Sequence, residues 1–163
     1  MSEFRHLSVP IALSPRAVFA FAGHPANLPR WAAGLAAGVR AENGRWIADS
    51  PMGAVEVRFV GDTAAGILDH EVMLPDGSVV LNQFRILADG AHSLAVFHLR
   101  RAEGVTDEAF EADAAAVQAD LDTLKDVLEA GASEAGTAET GTSETGTSES
   151  ETPEARTPEA GTA

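Results

Sequence analysis

The sequence predicts an α+β domain: a curved seven-stranded antiparallel sheet wrapped around a long C-terminal helix, with two short helices between the first and second strands. Three observations carry this. Residues 106–129 repeat Phe110, Ala114, Val117, Leu121, Leu124 and Leu128 at steps of four and three, which stacks them on one face of a helix. The rest of that helix surface is acidic, and a helix about 36 Å long needs something broad to bury its stripe against. Ahead of it, short alternating segments joined by tight-turn sequences read as a meander of adjacent antiparallel strands.

The elements follow in order. Arg5–Leu13 alternates, with Leu7, Val9, Ile11 and Leu13 on one face, as a half-buried strand does. Ser14-Pro15 offers an N-cap followed by proline at the first helical position, and the short helix behind it carries Val18, Phe19 and Phe21. Gly23-His24-Pro25 ends it, and Asn27-Leu28-Pro29-Arg30-Trp31 can start a second, shorter helix. A strand over Gly34–Glu42 leads into Asn43-Gly44, a type I′ hairpin signal, and on to Arg45–Asp49. Val55–Val60 follows the turn Ser50-Pro51-Met52-Gly53. Ile67–Leu74, Ser78–Leu87 and His92–Arg101 complete the series, separated by Pro75-Asp76-Gly77 and Asp89-Gly90.

Composition limits the function classes. The 163 residues suit one domain, assigned to 1–130, and include no cysteine, so there are no disulfides, thiolate nucleophiles or cysteine-based metal sites. The N-terminus has no apolar run of signal-peptide type and no stretch approaches the length of a membrane span, which predicts a cytoplasmic protein. A formal net charge of −14, with ten arginines and one lysine scattered along the chain, argues against nucleic-acid and anionic-membrane partners.

From Gly131 the composition changes. Pentapeptides such as GTAET, GTSET and GTSES, then TPEAR and TPEAG, contain no large apolar residue and carry seven glutamates against Arg156. Such a segment cannot bury enough apolar area to offset an ordering cost of roughly 1–2 kcal/mol per residue. Residues 131–163 are therefore predicted to be a disordered acidic tail.

Two stretches resemble a known superfamily. The opening "VPIALSPRAVFAFAGHPANLPRW" and the hairpin "GILDHEVMLPDGSVVLNQFRIL" are similar to small bacterial members of the SRPBCC (START/Bet v 1-like) superfamily, in its polyketide cyclase/dehydrase-like branch. The likeness covers roughly residues 4–129. It implies a helix-grip fold, whose strands curve around the C-terminal helix, and a cavity between them that holds an apolar ligand.

Strand parity then selects the polar groups that face inward. Leu68, His70, Val72 and Leu74 share one face of their strand, while Asp69 and Glu71 share the other with Met73. On the next strand Val80, Asn82, Phe84 and Ile86 form the apolar face. With Pro75-Asp76-Gly77 as the loop, residue 74 pairs with 78 and His70 lies opposite Asn82. Asn82 could fix the His70 tautomer, leaving the other ring nitrogen to bind a ligand hydroxyl or move a proton. The competing reading is a self-satisfied buried pair that sets strand register. Trp31 could gate the mouth of a cavity from its short helix. Ala114, Ala115, Ala116 and Ala119 leave room beneath the helix, near Phe110 and Ala114. His6 and His98 fall on the outer parity of the terminal strands with no carboxylate to complete a metal site, and His24 and His92 sit in turns. Arg58, Asp69 and Arg85 are assigned to the outer face, and a contiguous patch of Phe4, Leu94 and Val96 there would make a homodimer surface.

No GxSxG elbow, GxxxxGK[ST] loop or GxGxxG turn is present, and no cofactor is predicted. Three functions remain: binding of a small, largely apolar or aromatic metabolite at His70, Asn82, Phe84, Trp31, Phe110 and Ala114; a cyclase/dehydrase-like enzyme with His70 as acid/base; or a protein-interaction module with a collapsed cavity.

Overall fold

The computed structural model describes residues 3–35 and 37–139. Seven strands form one antiparallel sheet: β1 (Phe4–Ile11), β2 (Val39–Glu42), β3 (Arg45–Ser50), β4 (Gly53–Phe59), β5 (His70–Met73), β6 (Val79–Asp89) and β7 (His92–Arg100). Their order is β1-β7-β6-β5-β4-β3-β2, so the meander from β2 to β7 runs neighbour to neighbour and β1 closes on β7. Two α-helices complete the fold, α1 (Pro15–Ala22) and α2 (Asp107–Glu139).

Local chemistry explains most boundaries. Ser14 caps α1 by accepting from the Ala17 N–H, with Pro15 in the first turn. Asn43 and Gly44 both take positive φ, as a type I′ turn between β2 and β3 requires. The stripe on α2 is buried at Phe110, Ala114, Leu121, Leu124 and Leu128, and the last three join the central core with Val9, Ile11, Val18, Val55, Val57, Leu68, Phe84 and Ile86.

Four predicted boundaries shift. The second short helix is a 3-10 segment, Pro25–Arg30, starting two residues early because His24 Nδ1 caps it by accepting from the Ala26 N–H. The strand drawn over Gly34–Glu42 is a 3-10 turn (Ala33–Leu35) followed by the four residues of β2. Its first half is glycine and alanine, which give a strand little to pack, and Gly38 takes a φ of 136° that breaks the run. The strand predicted over Ile67–Leu74 is regular only in β5. α2 runs ten residues past the helix end expected at residue 129, the alanines and glutamates of GASEAGTAE continuing an established helix despite Gly131 and Gly136, each worth roughly 1 kcal/mol against it. Residues 140–163, the rest of the predicted tail, lie outside the described residues.

The edge of β1 is closed by α2 rather than left open. Gln118 Nε2 donates to the Ser8 carbonyl at 3.4 Å and Lys125 Nζ to the Pro10 carbonyl at 3.0 Å. The Ala12 N–H donates to Glu129 Oε1 at 2.8 Å, and Arg5 donates twice to Glu111. These four helix positions are spaced seven, seven and four apart, so they lie along one side of α2. The outward backbone groups of an edge strand thereby find partners, and Pro10 has no N–H to satisfy.

Candidate functional site

The site is built on the inner faces of β4, β5 and β6. β5 pairs with β6 in the predicted register, His70 opposite Asn82, and β4 places Phe59 opposite His70 on the other side. One face of this strip therefore reads Phe59, His70, Asn82. Val72 lies opposite Val80 in the next row, and Phe84 and Phe97 oppose each other in the row before it.

The His70 environment follows from an interruption in the sheet. Just before β5 the Leu68 N–H donates to the Phe84 carbonyl at 2.8 Å, as an antiparallel ladder would have it. The Phe84 N–H does not return to the Leu68 carbonyl; it donates to Asp69 Oδ1 at 3.1 Å. The freed Leu68 carbonyl lies 2.9 Å from His70 Nδ1. A carbonyl can only accept, so Nδ1 carries the proton and Nε2 presents its lone pair. Asn82 Nδ2 sits 3.3 Å from that nitrogen and donates to it. Burial pushes the His70 imidazole below its usual range, with the Leu68 carbonyl and the Asp69 charge opposing the shift. The ring is thus a neutral acceptor at Nε2.

Asp69 was assigned to the outer face as a solvated charge, and that misses its role. Besides Phe84, it accepts from Arg85 Nε at 2.8 Å and Nη2 at 2.6 Å, and its side chain is only 13% exposed. The Arg85 hydrogen bond holds its carboxyl below the ordinary carboxylate range, with help from the Phe84 N–H. A short acidic side chain competing with the backbone for a ladder position gives no periodic signal in a sequence.

Aromatic rings surround the pair. Phe59 lies 5.5 Å from the His70 ring by centroid, and Phe97 lies 6.5 Å away on the other side. Phe97 leads to Phe84 at 6.1 Å, and Phe84 to Trp31 at 5.8 Å. His70, Asn82, Val72, Phe59 and Phe97 are half-buried, and Val80 is 44% exposed. Of the predicted residues, Trp31, Phe84, His70 and Asn82 thus fall in one connected group. Phe110 and Ala114 are buried elsewhere, toward the start of α2. There Phe110 lies against the guanidinium carbons of Arg5 at 5.2 Å and Arg101 at 5.8 Å.

Other predicted positions are also placed. On the outer face His98 Nδ1 and His6 Nε2 lie 2.7 Å apart, with the Phe4 ring 4.6 Å from that of His98. Phe4 is 49% exposed, while Leu94 and Val96 are half-buried. Among the described residues no group of three or more His, Cys, Asp or Glu side chains is placed to hold a metal ion. No helix among them is long and apolar enough to cross a membrane.

No family model matches the chain, and no curated protein matches it either. Solved structures do. XoxI from Bacillus cereus is similar with a TM-score of 0.61 at 17% identity, over 77% of this chain and 94% of that one. A START superfamily protein from Mycobacterium smegmatis is similar with a TM-score of 0.56 at 13% identity, over 77% and 97%. The Zhui aromatase/cyclase from Streptomyces sp. R1128 is similar with a TM-score of 0.57 at 18% identity, over 79% and 94%. The fold is the helix-grip fold of the START/Bet v 1-like (SRPBCC) superfamily. At these identities the likeness carries the architecture alone, so the helix-grip frame says where a ligand would sit and the residues of this chain must say what it would meet.

Proposed function

We propose that this protein binds a small, largely apolar or aromatic molecule against the inner face of β4–β6, with His70 and Asn82 as its polar contacts. The observation that carries the reading is the half-buried strip of Phe59, His70, Val72, Asn82 and Phe97 on one face of β4–β7, with the exposed Val80 beside it. A monomeric domain gains by covering such a strip, and small-molecule sites combine apolar walls with a few convergent polar groups. Leu68 and Asn82 already occupy both ring nitrogens of His70, so a ligand donor would meet the Asn82 amide oxygen, or would take His70 Nε2 only by displacing the Asn82 amide. The acidic surface speaks against nucleic acid and anionic membranes as alternative partners.

Native mass spectrometry on protein purified from its own host tests this. Adducts of one small-molecule mass that are lost on denaturation are expected, and His70→Ala with Asn82→Ala should release them. Repeated absence of any adduct from folded protein would count against a tight-binding carrier.

A second reading is an aromatase/cyclase-like enzyme, in which Asn82 would release the His70 Nε2 lone pair it now donates to and Nε2 would take a proton from an acidic C–H or O–H of a ligand. Burial makes this imidazole a weak base, and a lone His–Asn pair is a thin catalytic set, so it ranks second. His70→Gln should abolish turnover in a folded protein on this reading, and reduce only affinity on the first.

A further inference from the structure

The orientation of the Asn82 amide hangs on a single neighbouring atom. The side chain is half-buried beside the exposed Val80, so one end of the amide meets His70 and the other end faces the strip. An amide oxygen and its NH2 group are nearly equal in size, and a half-turn about Cβ–Cγ exchanges an acceptor for two donors without a clash. Among the described residues Asn82 Oδ1 accepts from nothing, so the contact to His70 Nε2 at 3.3 Å decides which end points outward. That nitrogen is itself governed from the far side of the ring. The Leu68 carbonyl, 2.9 Å away, keeps a proton on Nδ1 whether the ring is neutral or charged, so a proton gained goes to Nε2.

We propose that Asn82 is the specificity-determining residue of the strip, and that His70 is the positioning residue that chooses which end of its amide a ligand meets. With His70 neutral, Nε2 accepts from Asn82 Nδ2 and the amide oxygen is turned outward, so the site selects a hydrogen-bond donor. With His70 charged, the Nε2–H needs an acceptor, the amide turns, and the outward NH2 selects an acceptor instead. The inference rests on the ligand-binding reading above and adds the polar group a ligand must carry and the protonation that inverts it. The other neighbours of the ring leave this coupling undisturbed. Phe59 on β4 and Phe97 on β7 present aromatic rings. The Asp69 carboxylate is occupied by Arg85 and the Phe84 N–H, and Glu71 is paired with Arg58. Burial disfavours the charged ring, so the donor-selecting form is the one present at neutral pH.

The probes are 2-naphthol, whose oxygen can donate or accept, and 2-methoxynaphthalene, whose oxygen can only accept. Both are titrated into the full chain, labelled with 15N so that the His70 ring nitrogens report its charge. Ligand-free protein at neutral pH should show a nuclear Overhauser contact between an Asn82 amide proton and a carbon-bound proton of the His70 ring. There 2-naphthol should bind roughly tenfold more tightly than its methyl ether, as one net hydrogen bond allows. As His70 becomes charged, the contact should vanish and the two affinities should converge. Asn82→Ala should remove the preference at neutral pH, and His70→Gln should remove its pH dependence. A preference that survives Asn82→Ala would move the contact to His70 itself and overturn the assignment, with the ligand site left standing. Asn82 amide signals that stay fixed while His70 titrates, or unfolding of the chain before it titrates, would also overturn it. Failure of both probes to bind while the amide turns would overturn the ligand-binding reading, and the selectivity with it.

Discussion

Asp69 is the residue whose removal tests the site's construction most directly, because three hydrogen bonds end on its carboxylate. Asp69→Ala leaves the Phe84 N–H without its acceptor beside a ring that is 1% exposed. An orphaned donor of this kind costs about 1–3 kcal/mol. The Arg85 interaction adds less: that side chain is 42% exposed, so water replaces much of what is lost, and an ion pair of this sort contributes at most about 1 kcal/mol. Together they give a loss of about 1–4 kcal/mol by urea unfolding at pH 7, toward the lower end where the Leu68 carbonyl takes over the Phe84 N–H. Asp69→Asn keeps an acceptor at Oδ1 and should lose about 1 kcal/mol.

Two further readouts separate this account from generic destabilisation. The Asp69 carboxyl is held below its ordinary range, so its contribution is present above the unfolded carboxyl's pKa of about 3.9 and is lost as pH falls through the lower folded value. The gap between wild type and Asp69→Ala should therefore be constant near neutrality and narrow only in that acid window. In Asp69→Ala the Leu68 carbonyl becomes the nearest replacement acceptor for the Phe84 N–H, which draws it from His70 Nδ1. Nitrogen chemical shifts of the His70 ring should then move toward the Nε2–H tautomer. A loss below about 0.5 kcal/mol for Asp69→Ala, with the His70 tautomer unchanged, would refute the coupling.

Burial lowers the His70 pKa, so wild-type stability should be full above about pH 6.5 and fall as pH drops through the lower folded value, at up to about 1.4 kcal/mol per pH unit. His70→Gln should flatten that fall in urea titrations at stepped pH. Half-burial raises the Asp120 carboxyl pKa, so its ionised form is a cost to the folded state that appears as pH rises through the folded value. Asp120→Asn, which still accepts from the Ala33 N–H, should raise the Tm at pH 7, with the gain gone below about pH 3.9. Leu121→Ala removes a 1%-exposed side chain from the core and should cost about 2–5 kcal/mol by urea unfolding. Lys125→Met keeps the aliphatic stem but loses the bond to the Pro10 carbonyl, for a loss of about 1 kcal/mol by the same measurement.

What the sequence exposed and what it hid divide along a physical line. The stripe from Phe110 to Leu128 was readable because burial imposes a period, and the His70–Asn82 register because a three-residue turn and strand parity leave little choice. Asp69, Arg5 and the Trp31 indole were not. Arg5 is on the inward parity of β1 yet lies over Phe110 and pairs with Glu111, more than a hundred residues away in sequence. Asp69 takes over a backbone position, and an unpaired indole is defined by what surrounds it in space. Each depends on long-range placement of one atom, which leaves no periodic trace.

The same distinction bears on why the inner face near His70 is open. The alanines of α2 suggest that room comes from small side chains, but the anchoring of the helix matters more. Glu111, Gln118, Lys125 and Glu129 tie one side of α2 to β1, the strand at the end of the sheet. Leu121, Leu124 and Leu128 then fill the core beside Val9 and Ile11, while Phe110 is held between Arg5 and Arg101. A helix pinned to that edge cannot also lie across β6 and β5, two and three strands further in. α2 therefore does not cover His70, Val72, Asn82 and Val80, and on the proposed ligand reading enlarging Ala115 or Ala116, both exposed, should affect binding less than loosening the helix at Lys125.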